Sequence, residues 1–252
     1  MAFFKYNDKN VFYEEIGDGE PLLMLHGNSV SSNMYRDILP LYTDCFKVIL
    51  IDFLGHGKSE RIKEFPADFW YDEAMQAMTL LREKGYKKVN VVGTSGGAIA
   101  ALNLALEAGD VVHKVIADSF EGENSLEIVA TTIKEDREQS KQDQGAVAFW
   151  KVEHGEDWED VVDHDTDVII RHHQQIGRFY HKDLSDMAVP ALLSASLKDE
   201  FADYVDFDEV YRMMTSKMAD GKIHLFKQGG HPAMMSNAEE FSAIAKTFFL
   251  GS

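Results

Sequence analysis

The chain has 252 residues, 45% of them hydrophobic, a single cysteine and a formal net charge of −18. That length suits one large domain or a domain carrying an insertion, and the acidic balance argues against nucleic acid and anionic membrane surfaces as partners. A lone cysteine, Cys45, excludes an intrachain disulfide, and no apolar stretch approaches the length of a membrane span.

Residues 2–17 alternate around the turn cluster Asn7-Asp8-Lys9-Asn10 and read as an antiparallel hairpin. The N-terminal residues show no signal-peptide pattern, so the expected location is the cytoplasm. Pro21 to Leu25 is a continuous apolar run, as in a strand buried on both faces, and it ends in His26-Gly27-Asn28. A short helix is expected through Met34, Ile38 and Leu41. Lys47 to Ile51 reads as the next buried strand and runs into Asp52-Phe53-Leu54-Gly55-His56-Gly57-Lys58-Ser59. Helical spacing over 68–84 places Ala74, Met75, Met78 and Leu81 on one side, and Lys84-Gly85 ends that helix.

The stretch Lys88 to Ala108 is the most informative. A β-branched run gives way to an Ala- and Leu-rich helical run across Gly93-Thr94-Ser95-Gly96-Gly97. A chain turning from strand to helix in so few residues has no room for side chains beside the turn. The spacing therefore predicts Ser95 at a strained apex, its hydroxyl presented outward and the free N–H groups of the next helix aimed at the same spot. Residues 113–118 form one more short strand. The alternation from 21 to 119 predicts an α/β fold, a mostly parallel sheet with helices on both faces.

From Glu121 to about Asp186 the rhythm changes to a charged, helix-compatible segment, with Ser125–Ser140 and Val161–Arg178 as examples. It is too long for a structureless loop and reads as a helical cap inserted over the strand ends. The expected organisation is core (1–120), cap (121–186) and core (187–252). Within the last part, strands are expected over 189–196 and 222–226, and helices over 207–218 and 238–249.

Functional groups in such sheets gather at the carboxyl ends of strands. His26-Gly27-Asn28, Asp52, Ser95 and Asp118 all fall there, as do Asp199 and His231 farther on. The ordered set His26-Gly27, Asp52-x-x-Gly55-x-Gly57-x-Ser59, Gly93-x-Ser95-x-Gly97, Asp199 and Gly230-His231 resembles the α/β-hydrolase fold superfamily over nearly the whole chain outside the insertion. The stretch from Phe65-Pro66-Ala67-Asp68-Phe69 through Ser95 is similar to the biphenyl-hydrolase-like branch.

The resemblance implies a nucleophile, acid and base in the chain order Ser95, Asp199, His231. The chemistry asks for the same set. A serine hydroxyl needs a base within reach, and the base needs an acceptor that fixes its tautomer. Asp118 is a rival for the acid, since some members of the superfamily place it there. Two backbone donors should form an oxyanion hole: Gly96 N–H, and the N–H of Asn28, whose amide is also a candidate for contact with substrate. The histidines of the insertion (His154, His164, His172, His173, His181) are expected mostly at the solvated rim. His26, His56 and His113 are expected to be structural, and His224 to lie in a strand. His164, Asp165, Asp167 and His172 match no closed metal-site spacing.

These readings imply a serine hydrolase for carboxylic esters of small to medium acyl groups, with a small-molecule ester as partner and no cofactor or metal. Phe149, Trp150 and Trp158 of the insertion are candidates for the acyl pocket. Gly96 offers no carboxylate beside the nucleophile, which argues against a strong preference for α-amino esters unless an acid from the insertion substitutes. Amide hydrolysis, C–C bond hydrolysis and a hydrolase-fold small-ligand receptor remain open. Dehalogenase and epoxide hydrolase chemistry both need a carboxylate where Ser95 stands.

Overall fold

The computed structural model describes residues 2–251. Eight strands form one sheet: β1 (Ala2–Tyr6), β2 (Lys9–Ile16), β3 (Glu20–Leu25), β4 (Phe46–Asp52), β5 (Val89–Thr94), β6 (Val112–Asp118), β7 (Ala191–Ser196) and β8 (Gly221–Phe226). Their spatial order is β1-β2-β4-β3-β5-β6-β7-β8. The β1–β2 and β2–β4 pairs are antiparallel, and every later pair is parallel. This is the mostly parallel α/β sheet expected from the alternation.

Side chains alternate between the two faces of a strand, and here both faces are buried. Leu23, Leu25, Ile49, Ile51, Val91 and Leu193 enter one core, packed beneath helices α1 (Phe69–Glu83) and α2 (Gly96–Glu107). Their neighbours Leu22, Met24, Val48, Leu50, Val92 and Leu192 enter the opposite core. That second core is closed by Tyr35, Tyr42 and helix α8 (Ala238–Leu250) through Phe241 and Phe249. Helices thus cover both faces, and the runs read as continuously apolar because neither face meets water.

Two local expectations are corrected. The helix through Met34 to Leu41 is instead a pair of 3₁₀ turns, Ser32–Tyr35 and Leu39–Leu41. Pro40 occupies the second and cannot supply an interior helical N–H. The buried face of α1 carries Glu73, Ala74, Gln76, Ala77, Leu80 and Leu81, while Met75 and Met78 lie at its half-exposed margin. Gln76 sits on that face because its Oε1 accepts the Leu54 N–H at 2.8 Å.

Between β6 and β7 the chain leaves the sheet for three helices: α3 (Glu127–Ser140), α4 (Gln144–His154) and α5 (Trp158–Gln175). After β7 come α6 (Phe207–Lys217) and, beyond β8, the single turn α7 (Ala233–Ser236). Among the described residues no helix is long and apolar enough to cross a membrane.

The tightness of the β5–α2 turn is measurable. A Cβ built on Gly93 would lie 1.9 Å from the Gly97 carbonyl oxygen, and one on Gly97 would lie 2.1 Å from the Leu25 oxygen. Both obstacles are backbone, so neither can rotate away. Gly97→Ala is expected to lower Tm by about 10 °C in calorimetry, the scale of a core clash of about 3–4 kcal/mol in a chain of this size. An unchanged Tm would mean that the turn has slack the close approach does not suggest.

Candidate active site

Ser95 stands between β5 and α2 with a φ of 55°, left-handed backbone that a non-glycine residue rarely adopts. Its N–H is held by the Asp118 carbonyl at 2.7 Å. Gly96 follows as the first residue of α2, where backbone donors have no partner within the helix. Gly27 abuts the serine from β3, and a Cβ there would come 3.0 Å from the Ser95 Cβ.

The acid and the base meet. His231 Nδ1 donates to Asp199 Oδ2 at 2.9 Å, and Asp199 Oδ1 accepts the Phe201 N–H at 2.9 Å. Burial pushes the imidazole pKa down. The Asp199 hydrogen bond and charge, with Asp118 and Glu200 nearby, outweigh that and hold it above the ordinary histidine value. The loop that carries His231 is tied down at several points. Glu200 Oε2 accepts the His231 N–H at 2.9 Å, and the Ala233 and Met234 N–H groups go to Ser119 Oγ and Asp118 Oδ2, each at 2.9 Å. Asp118 Oδ1 accepts from Ser194 at 2.7 Å, so the rival acid is committed to the loop and to β7 and not to the imidazole. Fully buried, it is pushed up to about 7.

Ser95 and His231 line one cavity of about 530 Å³. Among the described residues no hydrogen bond joins the Ser95 hydroxyl to the His231 ring, a contact that often tightens only when substrate is bound. The apolar wall comes from Ile99, Val129, Ile133, Ile169 and Phe201. Glu121, Asp136 and Glu200 are also among the residues lining the cavity, and burial pushes Glu121 up to about 7.

The three aromatic candidates of the insertion do not line this cavity. Trp150 and Trp158 stack on one another with centroids 5.5 Å apart, in a separate small core with Val162. Phe149 is 46% exposed. Two histidines expected at the rim are buried as well. His154 reaches the β3 loop, and His172 packs against Trp70 and Phe179 with Nδ1 on the Ala67 carbonyl.

The Asn28 side chain is engaged within the fold. Its Nδ2 donates to Asp165 Oδ2 at 3.1 Å, and its Oδ1 accepts the Trp70 indole N–H at 3.1 Å. These two bonds fix the orientation of the amide in the loop after β3. The same pair explains the bare Gly96: a Cβ there would lie 1.9 Å from Asn28 Oδ1 and 2.6 Å from Trp70 Nε1. No acidic side chain beside the nucleophile fits this packing.

Sequence reasoning missed Trp70, Glu200 and Asp165. For Asp165 a signal existed. It falls on the apolar stripe Val161, Val162, Val168, Ile169 of α5, at helical spacing, where a solvated carboxylate has no place.

Residues 20–153 match the family model described as the alpha/beta hydrolase fold. Haloalkane dehalogenase 2 of Mycobacterium tuberculosis is 30% identical over 117 residues, 45% of this chain and 40% of that protein. The chain thus spans well under half the length of that relative. Human serine hydrolase BPHL is 25% identical over 256 residues, covering 96% of this chain and 84% of the relative. Among solved structures, the carboxylesterase CesB (YbfK) from Bacillus subtilis superposes with a TM-score of 0.75 at 15% identity, covering 99% of this chain and 91% of that one.

Proposed function

Since the chain belongs to the α/β-hydrolase fold family, we propose that it is a serine hydrolase cleaving carboxylic esters of small to medium acyl groups. The observation that carries this reading is the Asp199–His231 hydrogen bond at 2.9 Å, opening on the same cavity as a left-handed Ser95. Asp199 keeps the ring proton on Nδ1, which leaves Nε2 free to take a proton. Ser95 Oγ attacks the ester carbonyl as its proton passes to Nε2. The tetrahedral oxyanion rests against the N–H groups of Gly96 and Asn28. His231 then protonates the departing alkoxide, and water activated by the same nitrogen releases the acid from Ser95.

The cavity volume and its aliphatic wall suit an acyl chain of a few carbons. Acidic residues, Glu121 and Asp136, line the cavity where Gly96 offers no side chain, so an α-amino ester belongs among the substrates tried. The test combines a fluorophosphonate probe with p-nitrophenyl esters from acetate to octanoate and an aminoacyl ester. One probe per chain on the Ser95 peptide, with many turnovers per enzyme, is the expected result. No labelling, or a single turnover, would reject the proposal and favour a ligand-binding protein built on the same fold.

A further inference from the structure

Ser29, the residue after Asn28, is 3% exposed and has a φ of 55°. Every polar atom it has is held by the inserted helices, one side chain from each. Its Oγ accepts from Arg137 of α3. Its carbonyl accepts from His154 of α4 at 3.0 Å. Its N–H donates to Asp165 Oδ2 of α5 at 2.8 Å. The His154 tautomer follows from its other nitrogen. Nδ1 accepts the Gly57 N–H at 3.1 Å, so the ring proton sits on Nε2 and points at Ser29.

Asp165 is completely buried and does more than hold Ser29. The same Oδ2 accepts from the Asn28 amide at 3.1 Å and from His56 Nε2 at 3.3 Å. Its other oxygen has no hydrogen bond, with Arg137 Nη2 3.9 Å away. Asn28 is therefore clamped from three directions. Asp165 and Trp70 fix its side chain, and Ser29 fixes the peptide that follows it. On the remaining side Gly27 lies beside Ser95, where an added Cβ would come 3.0 Å from the Ser95 Cβ.

We propose that Asp165, aided by Arg137 and His154, is a positioning residue for the oxyanion hole: seating the inserted helices on Ser29 is what aims the Asn28 N–H at the reacting carbonyl. The helices then do not merely cover the site. Lifting them would remove each of the hydrogen bonds that hold Ser29 among the described residues, and the donor would lose its direction while Ser95, His231 and Asp199 stayed in place.

This inference rests on the serine-hydrolase reading, and the experiment separates the two. Active serines in parent, Asp165→Ala and Asp165→Asn are counted by end-point fluorophosphonate titration. Turnover of p-nitrophenyl butyrate per titrated serine follows, with the affinity for an alkylboronic acid as a mimic of the tetrahedral adduct. The alanine variant should lose about 100-fold in kcat per titrated serine, the scale of one misdirected oxyanion donor, and a similar factor in boronic acid affinity. KM should stay within about threefold. Asparagine, whose amide oxygen still accepts the Ser29 N–H, should recover most of the loss. A residue serving only the fold would lower Tm and the titratable fraction and leave kcat per titrated serine alone. If the alanine variant does not fold, Asp165→Ser decides, because it keeps a polar group but ends short of Ser29. A parent that titrates and turns over while these variants keep kcat within threefold overturns the inference by itself. A parent that does neither removes the reading and the inference together.

Discussion

Ser95→Ala is expected to lower kcat for p-nitrophenyl butyrate by about 10⁵- to 10⁶-fold, the loss seen when a serine nucleophile is removed from such a triad. The substitution deletes one oxygen and little else. Alanine carries the same Cβ into the left-handed elbow, and the glycines that make the turn feasible are untouched. Tm should therefore stay within a few degrees, and KM should hardly move, because the aliphatic wall that binds the acyl chain is intact. Residual catalysis of roughly 10³-fold over water should persist from the backbone donors alone. Loss of fluorophosphonate labelling in mass spectra completes the measurement. A variant that still turned over at the parent rate would show that the chemistry lies elsewhere.

The two buried aspartates at the strand ends should respond very differently to amidation. Asp199 accepts from the Phe201 N–H and from the His231 Nδ1–H. In Asp199→Asn one of them must face an NH₂ group. With the oxygen kept on Phe201, the imidazole is pushed to the wrong tautomer, its proton on Nε2 where it cannot receive another. A loss of about 10⁴-fold in kcat is expected. Asp118 accepts from Met234 N–H and from the Ser194 hydroxyl, which can turn round and become an acceptor. Asparagine satisfies both, so Asp118→Asn should keep kcat within about tenfold. The pH profile gives a second reading. His231 works as the neutral base, so kcat/KM should rise with pH through its pKa, and the raised value puts the midpoint of that acidic limb above 6.5. In residual Asp199→Asn activity the midpoint should move down, because the charge that raises it is gone. A large loss at Asp118 with little at Asp199 would exchange their roles.

Much of this was legible before any coordinates. Leu22 to Leu25 is apolar at every position, as in a strand covered on both faces, and its residues do divide between two cores. Ser95, Asp199 and His231 stood out because each follows a strand end, and a parallel sheet gathers those ends on one edge. What was not legible depended on how the insertion packs. Trp150 and Trp158 are large and apolar wherever they lie, and nothing local says that they choose each other over the cavity. Asn28 could be placed in the loop after β3, but its amide is claimed by residues 42 and 137 positions away in sequence. Asp165 marked itself as a polar intruder on an apolar stripe, yet its partner on another loop could not be named from α5 alone.

The grip of the inserted helices on the β3 loop bears on how such chains recombine. Breakpoints at the edges of the insertion would look natural to an engineer building chimaeras, since they leave the sheet whole. They would part Glu153 from Ser31, whose N–H and hydroxyl it accepts at 2.8 and 2.6 Å, and the Arg137, His154 and Asp165 trio from Ser29. The unit that can be exchanged between relatives without breaking these contacts is therefore discontinuous: the insertion travels together with the half-dozen residues that follow β3.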